Sequence, residues 1–214
     1  MRFRDRREAG RALAERLTAQ QSAGDLPDPV VLALPRGGVP VGDEIARALN
    51  APLDVVVARK IGAPFQPELG VGAVAGDEPP LYDPAILGHL GLREEELAPV
   101  AERERAEVRR REELYRGGRP PVRLAGRSAV LVDDGLATGA TARAALHTVR
   151  RARPARIVLA VPVAAPEAAD YFTGQVDDFV CLYRPRGFGA VGFWYDNFSQ
   201  LTDDEVLDVL RVPH

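Results

Sequence analysis

The chain has 214 residues, of which 46% are hydrophobic, 28% charged and 6% aromatic. Its formal net charge is −3, and Lys60 is the single lysine among 28 basic residues. These proportions are typical of a folded globular protein and exclude intrinsic disorder, a collagen repeat and a disulfide scaffold. A slightly acidic chain has no broad attraction to a phosphate backbone, so we expect no nucleic-acid partner.

The cysteine count and the N-terminal pattern exclude further classes. Cys181 is the only cysteine and no CxxC or HExxH spacing occurs, so we expect neither an internal disulfide nor a zinc site. The charged residues 1–7 are not followed by an apolar signal core, and no run of about 18 apolar residues could cross a membrane. We therefore expect a soluble, cytoplasmic protein with no membrane partner.

Short apolar runs alternate with stretches of helical spacing along the chain. A first helix is predicted around 9–17, and further helices after residues 41 and 142. The runs that predict buried strands are, in chain order, 30–34, 53–57, 129–132, 157–161 and 179–182, with a weaker stretch at 69–75. This alternation predicts an α/β fold with an open, twisted parallel sheet flanked by helices. Ligands of such sheets bind beyond the carboxyl ends of the strands.

The interval 83–119 departs from this alternation. Within it, residues 102–113 contain five acidic and five basic side chains in one predicted helix. A phosphate- or RNA-binding patch is one interpretation, and a solvent-exposed helix is the other. The segment is neutral, which favours the exposed helix, with Glu107 placed to pair with Arg110 and Arg111.

The most informative segment is 130–141, with the sequence Val-Leu-Val-Asp-Asp-Gly-Leu-Ala-Thr-Gly-Ala-Thr. An apolar strand ends in Asp133 and Asp134, and a turn rich in glycine and threonine then leads into a helix. Gly139 permits close backbone approach, and the N–H groups at a helix N-terminus attract a phosphate. The two carboxylates would repel that phosphate, so they must face sugar hydroxyls or Mg²⁺. The alternative is an acidic surface turn without a ligand.

This segment resembles the motif that binds 5-phosphoribosyl-1-pyrophosphate (PRPP) in type I phosphoribosyltransferases: an apolar strand, two acids, two or three variable residues, then TGxT. The resemblance implies that Asp133 and Asp134 hold the ribose hydroxyls and contact Mg²⁺ through water or PRPP. The implied ligands of the 5′-phosphate are Ala137, Thr138, Gly139, Ala140 and Thr141.

The resemblance covers roughly residues 30–182 and implies one phosphoribosyltransferase-like domain over 1–214. Its core would comprise about 28–82 and 120–184, interrupted by a helical insertion at about 83–119. Residues 185–214 would form a hood-like segment over the site, opening its last helix with a capping box at Thr202–Glu205.

Two loops fit the same resemblance. Arg36, Gly37 and Gly38 follow the first strand, where the family has a pyrophosphate-binding loop; an ordinary strand-to-helix turn is the alternative. The second strand leads into Arg59 and Lys60, then glycine and proline, a composition typical of a mobile loop. In the family such a loop closes over the pyrophosphate. The implied catalytic cations are therefore Arg36, Arg59 and Lys60. The alternative for Arg59 and Lys60 is that they are two solvent-exposed charges after a strand.

Aromatic residues cluster near the C-terminus, at Phe188, Phe193, Trp194, Tyr195 and Phe198. Residues 190–196 loosely resemble a purine-enzyme segment that stacks the base. That resemblance makes Phe193 and Trp194 candidates for base stacking and Asp196 a candidate near Mg²⁺. Hydrophobic packing on the sheet edge or against a partner subunit is equally open.

The resemblance predicts an Mg²⁺-dependent enzyme that transfers phosphoribose from PRPP to a nitrogenous base and releases pyrophosphate. Its expected partners are PRPP and the base, and a homodimer is left open. Ala137 replaces the acid that enzymes for 6-oxopurines carry before TG, which disfavours those bases. The alternative is a PRPP-binding regulator of the same fold without catalysis. A phosphosugar phosphatase would need paired acids at different strand ends, and the sequence does not show them. The histidines at 89, 147 and 214 have the spacing of neither a metal site nor a catalytic triad.

Overall fold

The computed structural model describes residues 2–212, so the histidine at 214 and the outermost residues of the predicted domain lie outside the described part. Its helices are α1 (Arg6–Ser22), α2 (Gly38–Leu49), α3 (Pro84–Leu90), α4 (Glu94–Arg116), α5 (Ala140–Arg151), α6 (Pro166–Thr173) and α7 (Asp203–Leu210). Its strands are β1 (Pro29–Ala33), β2 (Leu53–Val55), β3 (Ala58–Ala63), β4 (Gln66–Ala75), β5 (Leu81–Tyr82), β6 (Ser128–Val132), β7 (Arg156–Val163) and β8 (Asp178–Tyr183).

The main sheet has five parallel strands in the order β2-β1-β6-β7-β8. Its central strands are buried on both faces, as their continuous apolar runs predict. In β6, Val130 packs with Leu13 and Ile45 of α1 and α2, whereas Leu131 faces the other layer with Leu146 of α5. The predicted α/β architecture of a parallel sheet between helical layers is confirmed.

A second sheet of three antiparallel strands, β3-β4-β5, lies beside the first. The segment around Arg59 and Lys60, which we expected to be a mobile loop, forms β3 and pairs with β4 over 66–75. One face of this hairpin carries Ala58 and packs on α5, and the other carries Ile61 and packs on α4. The hairpin is therefore held between two helices.

Helices α3 and α4 occupy the interval that interrupts the alternation. Helix α4 is only partly exposed, because its apolar residues pack against the hairpin; those fully or nearly buried are Leu97, Ala101, Val108 and Tyr115. On its outer side Glu107 accepts hydrogen bonds from Arg110 and Arg111 at 2.7–2.9 Å, which confirms the predicted pairing. Within residues 2–212, no helix combines the length and the apolar character that a membrane crossing requires.

Residues near the N-terminus pair with the segment that follows β8. Phe3 forms a parallel β-bridge with Tyr195, and a short 3-10 helix at Val191–Trp194 precedes it. The predicted capping box is present, with Thr202 accepting from the Glu205 N–H and Glu205 accepting from the Thr202 N–H. Residues 191–197 lie against Phe3 and Arg4, and the hydrogen bond from the Tyr195 hydroxyl to the Asp134 carbonyl joins them to the carboxyl edge of the main sheet.

Candidate active site

Two loops leave neighbouring strands at the carboxyl edge of the main sheet. Ala33 of β1 pairs with Val132 of β6, and the Leu34 N–H continues this pairing by donating to the Val132 carbonyl at 2.9 Å. The loop that contains Gly37 therefore begins beside the loop that contains Asp134. A Cβ on Gly37 would fall inside the Asp134 carboxylate, so the two loops touch where a side chain would not fit.

The TGxT loop forms the N-terminus of α5. Gly139 has φ +73° and precedes the first helical residue, Ala140. A Cβ at 139 would also lie 2.7 Å from the ring of Phe172, so both the backbone conformation and the space favour glycine. Thr138 is exposed, and its hydroxyl oxygen accepts the Ala140 N–H at 3.4 Å. The first N–H groups of a helix have no partner within it, which makes this turn suited to a phosphate.

The two acids at the end of β6 are held by short hydrogen bonds. Asp133 Oδ1 accepts the Asp134 N–H at 2.8 Å, and Asp134 Oδ2 accepts the Nε–H of Arg6 at 2.8 Å. Burial raises the pKa of both carboxyl groups. The charge of Asp134 adds to the rise in the pKa of Asp133, whereas the Arg6 guanidinium opposes the rise in the pKa of Asp134.

Arg6 is the site residue that sequence reasoning missed. It lies at the first position of α1, whose N-cap Asp5 accepts the Glu8 N–H. It reaches Asp134 across 128 positions of the chain. Nothing local distinguishes it among the many arginines, so only the tertiary structure reveals the contact.

The loop after β1 has an unusual backbone. The Pro35–Arg36 peptide bond is cis, a form that is rare when the second residue is not proline. The Arg36 guanidinium lies 4.0 Å from Asp203 at the start of α7, and Asp203 also accepts the hydroxyl of Tyr115 at 2.6 Å. The side chain of Arg36 is thus directed toward the C-terminal helix, while the backbone of its loop adjoins Asp134.

The hairpin separates the two cations that the sequence placed together. Successive strand residues point to opposite faces, so Lys60 shares the α5 face with Ala58, and Arg59 shares the α4 face. Lys60 lies along a cavity of about 520 Å³ that Thr138 and Ala140 also line. Its Nζ donates to the Glu68 carbonyl at 3.0 Å.

Arg59 instead forms a 2.9 Å ion pair with Glu104 of α4. The structure therefore brings Lys60 toward the TGxT loop and does not bring Arg59 there.

The C-terminal aromatics divide into two groups. Phe193 is 64% exposed. Trp194 is half-buried, donates its indole N–H to the Phe188 carbonyl at 3.0 Å and packs with Phe3 and Tyr195 at the sheet edge. Packing therefore accounts for Trp194, and Phe193 remains open to a ligand.

Magnesium could be held at the aspartates of β6 but not by protein ligands alone. Asp196 is exposed and lies 3.9 Å from Arg2. Among residues 2–212, no three His, Cys, Asp or Glu side chains come together as a metal site, so Asp196 does not join Asp133 and Asp134. Mg²⁺ commonly binds one or two carboxylates together with substrate phosphates and water. Asp133 and Asp134 fit that arrangement.

Comparison with known proteins decides the family. The model of the phosphoribosyl transferase domain matches residues 6–172 of this chain. The chain belongs to the phosphoribosyl transferase family. Two Mycobacterium tuberculosis proteins, from strains CDC 1551 / Oshkosh and ATCC 25618 / H37Rv, are provisionally named phosphoribosyl transferases and are each 46% identical over 212 residues. That match covers 99% of this chain and 47% of each relative, so this phosphoribosyl transferase chain spans about half their length.

Solved structures of other proteins have the same fold as this chain. A crystal structure of a Thermus thermophilus protein is 47% identical, superposes with a TM-score of 0.80 and covers 98% of both chains. A Neisseria gonorrhoeae protein crystallised with bound ppGpp superposes with a TM-score of 0.51 at 16% identity, covering 98% of this chain and 97% of its own. The second likeness concerns the fold alone.

Proposed function

We propose that this chain transfers the 5-phosphoribosyl group from PRPP to a nitrogenous base and releases pyrophosphate. The observation that carries the proposal is the meeting of two loops at one sheet edge. One presents two carboxylates followed by a helix N-terminus, and the other contacts the second carboxylate through Gly37. This combination of acceptors and N–H donors matches a sugar diol beside a phosphate.

Each part of PRPP would find a chemically matched group. The 5′-phosphate would bind residues 137–141 at the N-terminus of α5, and the ribose hydroxyls would donate to Asp133 and Asp134. The pyrophosphate would lie near the loop of Arg36, Gly37 and Gly38, with Lys60 approaching from the hairpin. Mg²⁺, when bound with PRPP, would neutralise phosphate charge and polarise the leaving group.

The reaction breaks the bond between C1 of the ribose and the pyrophosphate oxygen, which leaves with the electron pair. A nitrogen of the base forms the new bond to C1 and loses its proton to solvent. The protein's contribution is to fix both partners and to stabilise the charge on the departing pyrophosphate. Lys60 of β3 would supply positive charge to the departing pyrophosphate.

The proposal also covers the base and the setting of the enzyme. The absence of an acid at Ala137 disfavours 6-oxopurines as acceptors, and the exposed ring of Phe193 is available for stacking on a planar base. A cytoplasmic location follows from the sequence expectation, and a homodimer is compatible with the proposal.

A PRPP-binding regulator without catalysis is the second candidate. It would need the carboxylates and the TGxT turn, but it would not need a cation at the leaving group. The placement of Lys60 on the face of the hairpin that lines the cavity with Thr138 favours the enzyme.

The test is to incubate the protein with Mg²⁺, PRPP and a panel of purine, pyrimidine and other nitrogenous bases while following pyrophosphate release. The transferase predicts base-dependent release. PRPP binding without release on any base would support the regulator, and no PRPP binding would contradict both.

A further inference from the structure

Arg6 approaches Asp134 from outside the motif and is itself held on several sides. The two side chains are 11% and 13% exposed, and their 2.8 Å ion pair is therefore shielded from water. The Nη1 of Arg6 donates to the Ser199 carbonyl at 2.9 Å, and its guanidinium carbon lies 4.0 Å from the ring centre of Phe198. Few rotamers of Arg6 satisfy these contacts together.

The contacts form a closed ring of four residues. Arg6 binds the Asp134 carboxylate and stacks on Phe198; Phe198 stacks on Tyr195, with ring centroids 5.1 Å apart and an interplanar angle of 26°. Tyr195 closes the ring by donating its hydroxyl to the Asp134 carbonyl at 2.6 Å. The backbone carbonyl of Asp134 is thus held by Tyr195 of the C-terminal segment, and its carboxylate is held by Arg6 of α1.

The backbones of residues 3–4 and 195–197 are paired beside this ring. Besides the bridge between Phe3 and Tyr195, the Asp196 N–H donates to the Phe3 carbonyl at 2.8 Å, and the Asn197 N–H donates to the Arg4 carbonyl at 2.9 Å. Arg6 and Phe198 each lie within three residues of this pairing. The hydrogen bonds between the two backbone segments therefore hold Arg6 and Phe198 near each other.

We propose that Arg6 is a positioning residue for PRPP, which orients the Asp134 carboxylate toward the ribose and offsets its charge beside Asp133. This inference rests on the proposed function, which assigns the ribose hydroxyls to that carboxylate. A carboxylate already held in one orientation loses less entropy when a hydroxyl binds it. The positive charge of the guanidinium also offsets the repulsion between two adjacent carboxylates in a site with little access to water.

The test is to measure PRPP binding by titration calorimetry in the presence of Mg²⁺. Arg6→Ala should raise the dissociation constant about tenfold or more, as expected for the loss of a shielded charge-assisted hydrogen bond. Arg6→Lys, which keeps the charge, should recover part of that loss. Arg4→Ala is the matched control, because the Arg4 side chain is 70% exposed and its Nε lies 3.5 Å from the Asp5 carboxylate, at the surface.

Inorganic pyrophosphate, which has no ribose, distinguishes a positioning role of Arg6 from a merely structural one. The positioning role predicts that pyrophosphate binds the wild type and Arg6→Ala with affinities that differ less than about twofold, whereas a structural role predicts a loss for both ligands. An equal loss for both ligands, or unchanged PRPP affinity in Arg6→Ala, would overturn the inference. If Arg6→Ala does not fold, as judged by circular dichroism, Arg6→Lys decides: its PRPP affinity must fall more than its pyrophosphate affinity.

Asp134→Asn separates this inference from the proposed function. If the wild type binds PRPP, Asp134→Asn binds it weakly and Arg6→Ala binds it normally, the role of Arg6 is wrong and the function stands. If the wild type does not bind PRPP, both are wrong.

Discussion

Gly37 lies directly against the carboxylate of Asp134, at a separation that leaves no room for a Cβ atom. The contact joins the loop after β1 to the motif after β6, although the two residues are far apart in the sequence. The proposed pyrophosphate loop therefore packs directly against the proposed ribose site.

Gly37→Ala should therefore displace one loop from the other and weaken PRPP binding. Because misplacement of binding groups by about 1 Å can cost as much as 100-fold, we expect a rise in the PRPP dissociation constant of roughly 10- to 100-fold. Gly88→Ala in α3 is the control, since a Cβ there meets nothing within 4 Å. It should leave PRPP affinity unchanged and stabilise the helix by up to about 1 kcal/mol. Equal PRPP affinities for the two variants would contradict the contact.

Lys60 and Arg59 should differ in their effects on turnover. Lys60→Ala should lower kcat/KM on the order of 10²-fold, the loss typical of removing one electrostatic donor from a developing charge. Lys60→Arg should slow kcat more than it raises the KM for PRPP, because a compact ammonium and a planar guanidinium are not interchangeable.

Arg59→Ala is the matched comparison, since it removes the neighbouring cation from the opposite face of β3. It breaks a partly exposed ion pair with Glu104, which costs little stability, and it leaves the cavity with Thr138 untouched, so kcat/KM should change by less than about threefold. A larger loss of activity in Arg59→Ala than in Lys60→Ala would show that the hairpin presents its other face to the substrate.

Glu107 should contribute stability that depends on pH. Hydrogen bonds from Arg110 and then Arg111 lower the pKa of Glu107 from 4.5 to about 2 in the folded chain. A carboxyl group with a lowered folded pKa stabilises the fold above its unfolded pKa, and this stabilisation is lost as the pH falls toward the folded value. Glu107→Gln should thus be less stable than the wild type at pH 7, by about 1 kcal/mol or less because the group is partly exposed.

Urea denaturation of both proteins at several pH values checks this prediction. The difference in the free energy of unfolding should be constant between pH 7 and pH 5 and should shrink below about pH 4.5. A difference that does not change down to the acid limit of folding would rule out the ionised pair as its cause.

The PRPP motif could be predicted from the sequence because all of its parts are contiguous. The strand, the two acids, the left-handed Gly139 and the helix N-terminus lie within about a dozen residues, so local backbone chemistry places them. The loop of Arg36 was located for the same reason, since it directly follows a strand whose apolar run is continuous. By contrast, the side-chain direction of Arg36 depends on α7, which is remote in sequence.

The hairpin could be predicted only in part, because the apolar stretch at 69–75 indicated most of β4 whereas β3 has a weak local signal. Gly62 of β3 and Gly70 of β4 disfavour strands by propensity, and the pairing of β3 with β4 and burial between α4 and α5 overcome that preference. The buried residues of α4 have regular helical spacing, so this buried face could have been predicted from the sequence. The many charged residues between them obscured the pattern. Arg6 had no local signal at all.

The central claim is that Asp133 and Asp134 hold PRPP, and PRPP titration of the double variant Asp133→Asn, Asp134→Asn tests it most directly. Circular dichroism and thermal unfolding establish that the variant is folded. The account predicts that the wild type binds PRPP in the presence of Mg²⁺ and that the folded double variant shows no detectable binding. Retention of wild-type affinity by the double variant would contradict it.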